Sequence, residues 1–146
     1  MRRIVVLLVL VSACRTVTVS DNSLTGAASP RAAIDRFLAA ARGQDIQALG
    51  AEFGDSKGAL RDHSDRVTTE RRLLIMLQCL RHDKAVVSGP DHGEGGTQLF
   101  SVDFTQGTLT ATVKFRTIKG PSDRWYVEEF EIVALQNKGF CGKAGG

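Results

Sequence analysis

The apolar pattern of this chain changes period at about His82, and that change limits its fold more than any other feature. Up to that point apolar residues recur three and four positions apart, as on one side of a helix; beyond it they alternate with polar ones, as on the two faces of a strand. Helices first and strands after is α+β order. The pattern predicts N-terminal helices packed on a curved antiparallel β-sheet.

The helical part has clear punctuation. Ser29 can accept an orphan N–H as an N-cap, and Pro30 is tolerated at the first helical position. Ile34, Phe37, Leu38 and Ala41 then form one stripe, and Gly43 is a natural stop. Asp45 can cap a second short helix with Ile46, Leu49 and Phe53 as its buried edge, ended by Gly54. Residues 55–66 are polar and read as a loop. A third helix is expected over residues 69–81. Its run Leu73-Leu74-Ile75-Met76-Leu77 is apolar on nearly every side, the pattern of a buried helix.

In the second part, residues 84–88 form a short strand candidate that Gly89-Pro90 is expected to break. Phe100, Val102 and Phe104 alternate with polar residues up to a tight turn at Gln106-Gly107. Leu109, Ala111, Val113 and Phe115 alternate with Thr110, Thr112, Lys114 and Arg116, the clearest period-two segment of the chain. After a turn at residues 120–123, a last strand is expected over residues 125–135. Trp125 and Val127 share one parity; Phe130, Ile132 and Ala134 share the other. One extra residue near Glu128-Glu129 would put all five on one face, so a β-bulge is expected there, with Trp125 buried against the helices.

The N-terminus carries a separate message. Arg2-Arg3 precede an apolar run over residues 4–11, and small residues end it. That is the layout of a secretory signal, and the run is far shorter than the roughly 20 residues of a membrane-spanning helix. Val11-Ser12-Ala13-Cys14 resembles the lipobox of bacterial lipoproteins. The resemblance implies cleavage before Cys14, a lipid on its thiol, and a location in the cell envelope, anchored to a membrane and facing away from the cytoplasm. Residues 1–13 are then signal peptide, residues 14–28 a Thr/Ser/Gly-rich flexible tether, and residues 29–142 a single α+β domain.

Charge is read after that division. The chain has 19 Lys and Arg against 16 Asp and Glu; without Arg2 and Arg3 there remain 17 basic side chains and a net charge of +1. A chain so nearly neutral gives no reason to expect a nucleic-acid partner, and Arg71-Arg72, its densest basic spot, reads as a solvated helix surface. With Cys14 assigned to lipid, Cys79 and Cys141 remain in a compartment where disulfides persist, and a bridge between them is expected. No Cys/His spacing suits zinc, and no motif points to a cofactor.

The helical pair "RAAIDRFLAAARGQDIQALGAEF" and the closing strand "RWYVEEFEI" together resemble the cone-shaped fold of nuclear transport factor 2, ketosteroid isomerases and SnoaL-type cyclases. The likeness spans about residues 29–135. It implies a pocket between helices and sheet, for which Phe37, Phe100, Val102, Phe104, Val113, Phe115 and Trp125 are the lining candidates. Isomerase-like members need a carboxylate base inside such a pocket. None of these inward residues is an acid or a base. Asp103, Glu128, Glu129 and Tyr126 carry outward or uncertain parity, and His63 and His92 lie in polar loops. No catalytic residue is assigned. A non-catalytic envelope lipoprotein binding a small apolar ligand or another protein is the reading favoured. An isomerase- or cyclase-type enzyme and a structural dimerisation module are its alternatives.

Overall fold

The computed structural model describes residues 24–142. The expected signal peptide, Cys14 and residues 14–23 of the expected tether lie outside them. The described chain is α+β, with five helices and two antiparallel sheets. The helices are α1 (Pro30–Arg42), α2 (Ile46–Glu52), α3 (Leu60–His63), α4 (Arg66–Cys79) and α5 (Ile132–Asn137). A two-stranded hairpin, β1 (Gly54–Asp55) and β2 (Gly58–Ala59), separates α2 from α3. The main sheet runs β3 (Lys84–His92), β4 (Gln98–Gln106), β5 (Leu109–Lys119), β6 (Trp125–Phe130), every neighbour antiparallel.

Local chemistry explains the helix starts. Ser29 Oγ accepts from Ala32 N–H at 3.1 Å, and Asp45 accepts from Gln47 and Ala48 at 3.0 Å each. Helix α1 does not end on a left-handed glycine. Gly43 stays right-handed, and Gln44 takes the positive φ of 55°. The Gln44 amide repays that conformation by donating to Ala41 O at 2.7 Å and Leu77 O at 3.1 Å, tying α1 to α4.

Four boundaries differ from the sequence expectation. Residues 55–66 are not an irregular loop: they hold β2 and α3, and α4 begins at Arg66, where Asp65 caps it through Thr68 N–H at 2.8 Å. Helix α4 is buried on one side only, through Thr69, Leu73, Met76, Leu77 and Cys79; Leu74 and Ile75 are exposed. Gly89-Pro90 does not end β3. The ladder shifts register between Ser88 and Asp91 and resumes, so a bulge absorbs the residue that cannot donate. Finally, β6 stops at Phe130 and residues 132–137 turn into α5. Ile132 and Leu135 suit a helix as well as a strand, since a run this short does not fix its period.

The core lies between the helix layer and one face of the sheet. Phe100, Val102 and Phe104 of β4 meet Ala111, Val113 and Phe115 of β5, and Ile34, Phe37, Leu38, Leu49 and Leu77 cover them. The expected bulge in β6 is present: Arg116 pairs with Glu129 and Thr117 with Val127, leaving Glu128 as the extra residue. Cys79 and Cys141 are disulfide-bonded. Phe140 packs edge-on against Phe104 beside the bridge, and Gln78 Nε2 donates to Cys141 O at 2.7 Å. The C-terminal segment is thereby fixed to the end of α4.

Candidate functional site

The seven residues expected to line a pocket fall into two groups. Phe37, Phe100, Val102, Phe104, Val113 and Phe115 are all buried, and they pack against one another. Phe37 touches the rings of Phe53, Phe115 and Phe130 at centroid distances of 6.0–6.3 Å, and Phe115 stacks on Phe130 at 5.1 Å. These rings fill the space between helices and sheet with side chains. Trp125 differs from the expectation. It is only partly buried: it opens β6, and the Lys119 ammonium lies 5.6 Å from its ring.

Tyr126, of outward parity, is nevertheless buried. The outer face at this end of β6 has its own cover. Ala27 and Trp125 exchange backbone hydrogen bonds at 2.8 Å, and Phe53 bridges to Val127. The ring of Tyr126 sits against glycine: a Cβ on Gly26 would lie 2.7 Å from its Cζ, and one on Gly120 2.8 Å from its Cε2. Its hydroxyl reaches Thr25 Oγ1 at 3.0 Å. Arg124 donates to Thr25 O at 3.2 Å and to Gly26 O at 2.5 Å, and Arg36 also reaches Gly26 O. Residues 24–28 therefore belong to the domain rather than to a free tether.

Parity arguments also missed Glu52. It is buried at the end of α2, and Arg36 Nε meets its carboxylate at 2.8 Å. Arg36 thus joins α1, α2 and the segment at Gly26. An acid at the end of an apolar helix edge, with an arginine on the preceding helix, is the one signal the sequence held for it. The bulge explains Glu128 and Glu129. Two successive residues opposite one partner can turn toward the same neighbour, and both carboxylates take the guanidinium of Arg116, Glu128 at 2.8 Å. His63 lies 3.2 Å from Asp55, not from its sequence neighbours Asp62 and Asp65; Asp55 also accepts from Lys57 N–H at 2.7 Å, as in a turn. His92 ends β3, exposed. Among the described residues no three His, Cys, Asp or Glu side chains are grouped to hold a metal ion.

The clefts that remain lie outside the core. One of about 270 Å³ runs between α4, β6 and α5. Phe53, Met76, Phe130 and Ile132 form its apolar walls, while Arg72, 5.3 Å over the Phe53 ring, and the Glu128-Glu129 bulge supply its charged rim. This combination can hold an apolar side chain and orient polar groups beside it. It offers no general base in a dry site, since both glutamates are held by Arg116 at the surface.

Set against known protein families, curated proteins and solved structures, the chain matches none. What fold and site define is an α+β module with an apolar core and a surface cleft of apolar walls and charged rim.

Proposed function

We propose that this chain is a membrane-anchored lipoprotein of the bacterial envelope whose domain binds a protein partner without catalysis. The observation that carries the exported location is the Cys79–Cys141 disulfide, which is independent of the signal sequence. Bridges of this kind persist in oxidising compartments. It supports the lipobox reading of Val11-Ser12-Ala13-Cys14. The binding role rests on the cleft at Phe53, Arg72 and Met76. A surface cleft with apolar walls and a charged rim suits a protein side chain better than an enclosed small apolar ligand.

The cone-shaped family of nuclear transport factor 2 remains our assignment for the fold. Its support is the order of the helix layer and antiparallel sheet and the bulge of the last strand. The isomerase and cyclase activities of that family need an ionisable group in the pocket, and the one buried carboxylate among the described residues, Glu52, is taken by Arg36 at 2.8 Å.

The test of anchoring is Cys14→Ser in the full chain. We expect the wild type to fractionate with membranes and the variant to be released or to stay uncleaved. Mass spectrometry of the native protein finding an unmodified N-terminus downstream of Cys14 would falsify the anchor. For the cleft, Met76→Glu is expected to abolish capture of the partner by cross-linking from Arg72→Cys. An unchanged cross-linking pattern would count against the cleft.

A further inference from the structure

Helix α4 has a second apolar face that the domain leaves largely exposed, bordered at Ile75 by the cleft against β6 and α5. Val67 is 64% exposed, Leu74 58% and Ile75 46%, on the side opposite buried Leu73 and Leu77. Arg71 lies between them on the same side, at i+4 from Val67 and i−3 from Leu74. Among the described residues Arg71 enters no ion pair, while Arg66 is held by Glu70 at 2.9 Å. The face is therefore apolar with a net positive centre.

We infer that this face of α4 lies on an anionic lipid surface. Three observations converge on that occupant, and the inference rests on the lipid anchor proposed for Cys14. The first is composition: apolar side chains flanked by arginine are the pattern of a helix lying in a membrane interface. The second is position. Leu24, where the described chain begins, lines one cleft with Arg61, and Arg61 lines the next with Arg66 at the start of α4. Leu24 and the first turn of α4 thus border adjoining clefts. The third is length. Nine residues, 15–23, separate Cys14 from Leu24, and the ten steps between them span at most about 36 Å, so the domain stays close to the bilayer that holds Cys14. A second copy of the chain fits the face less well. Two-fold pairing through α4 would bring Arg71 against its own counterpart.

The experiment uses the chain from residue 14 onward carrying Cys14→Ser, made without lipid, and vesicles of phosphatidylglycerol and phosphatidylcholine against phosphatidylcholine alone. We expect sedimentation with the anionic vesicles that weakens as salt is raised. Arg71→Glu is expected to lower the partition coefficient about fivefold or more. The double variant Val67→Glu, Leu74→Glu, which leaves the cleft residues unchanged, is expected to lower it more than about tenfold. Both sites are exposed, so unchanged thermal unfolding verifies that the variants are folded. Absence of wild-type binding, or equal binding by the variants, overturns the inference. So does a wild-type dimer in sedimentation velocity that Leu74→Glu dissociates, which assigns the face to a second copy. An unmodified Cys14 in the native protein, with vesicle binding retained, would remove the anchor and leave the lipid-facing surface in place.

Discussion

Helices α1 and α4 are nearly equal in length, 13 and 14 residues, yet they meet solvent in different ways. The inner side of α1 carries Ala33, Ile34, Phe37, Leu38 and Ala41, all buried; its outer side carries Arg31, Asp35, Ala39 and Arg42, with Arg31 and Asp35 paired at 3.0 Å. Its pattern is finished within the domain. The inner side of α4 is equally well packed, but its outer side leaves Val67, Leu74 and Ile75 largely exposed beside Arg66, Glu70 and Arg71. An amphipathic helix buries one apolar stripe against the core. The comparison teaches that the apolar pattern of α1 is used up by the fold, whereas that of α4 is not.

Stability measurements can break that comparison. The largest effect is expected inside α1: Phe37→Ala removes a fully buried ring with three aromatic neighbours and costs about 4 kcal/mol in urea unfolding. Leu74→Ala on the outer side of α4 is expected to stay within about 0.5 kcal/mol of wild type. Equal losses at the two positions would mean that α4 is covered on both sides. Next comes the bridge that ends α4. Its loop of 62 residues gives up to about 4 kcal/mol in the chain-entropy account, so the Cys79→Ser, Cys141→Ser double variant is expected to unfold at clearly lower urea.

Smaller effects sharpen the contrast at the helix ends. Glu52→Gln breaks the pair with Arg36 that ties α1 to α2, and a loss of about 3 kcal/mol is expected by the same assay. Ser29→Ala removes the cap of α1 and costs about 1 kcal/mol. The smallest effect is at the cap of α4. The side-chain hydrogen bond from Thr68, and then its backbone N–H, hold the Asp65 carboxyl below its ordinary 3.8. A carboxyl lowered on folding favours the folded state above its unfolded value, and that contribution is lost as pH falls through the lower folded value. The melting temperature of wild type is therefore expected to fall slightly more than that of Asp65→Asn when pH drops from 5 toward 3. Parallel curves for the two proteins would show that the cap does not titrate.

Much of this was written in local sequence. Caps at Ser29 and Asp45, the alternation from Leu109 to Arg116, and the extra residue beside Glu129 all act over a few positions, where sterics and hydrogen bonding decide. The partnership of Cys79 with Cys141 followed from counting, once Cys14 was set aside. The candidate site was less legible. Phe53 follows α2, Arg72 and Met76 lie one turn apart on α4, and Phe130 ends β6, so no single spacing along the chain announces their cleft.

What the sequence by itself determined, then, is the period of each element and hence the α+β order. Parity names two faces without saying which is covered, and that only the tertiary structure decided. Tyr126 is buried because residues 25–27 run against the start of β6, while its neighbour Trp125, of the parity expected to face the helices, stays partly exposed. Residues 132–137 become a helix because β6 ends with Phe130 opposite Phe115, and α5 packs beside the remaining length of β5. Such covering depends on elements brought together from distant parts of the chain, and a local periodicity carries no record of those distances.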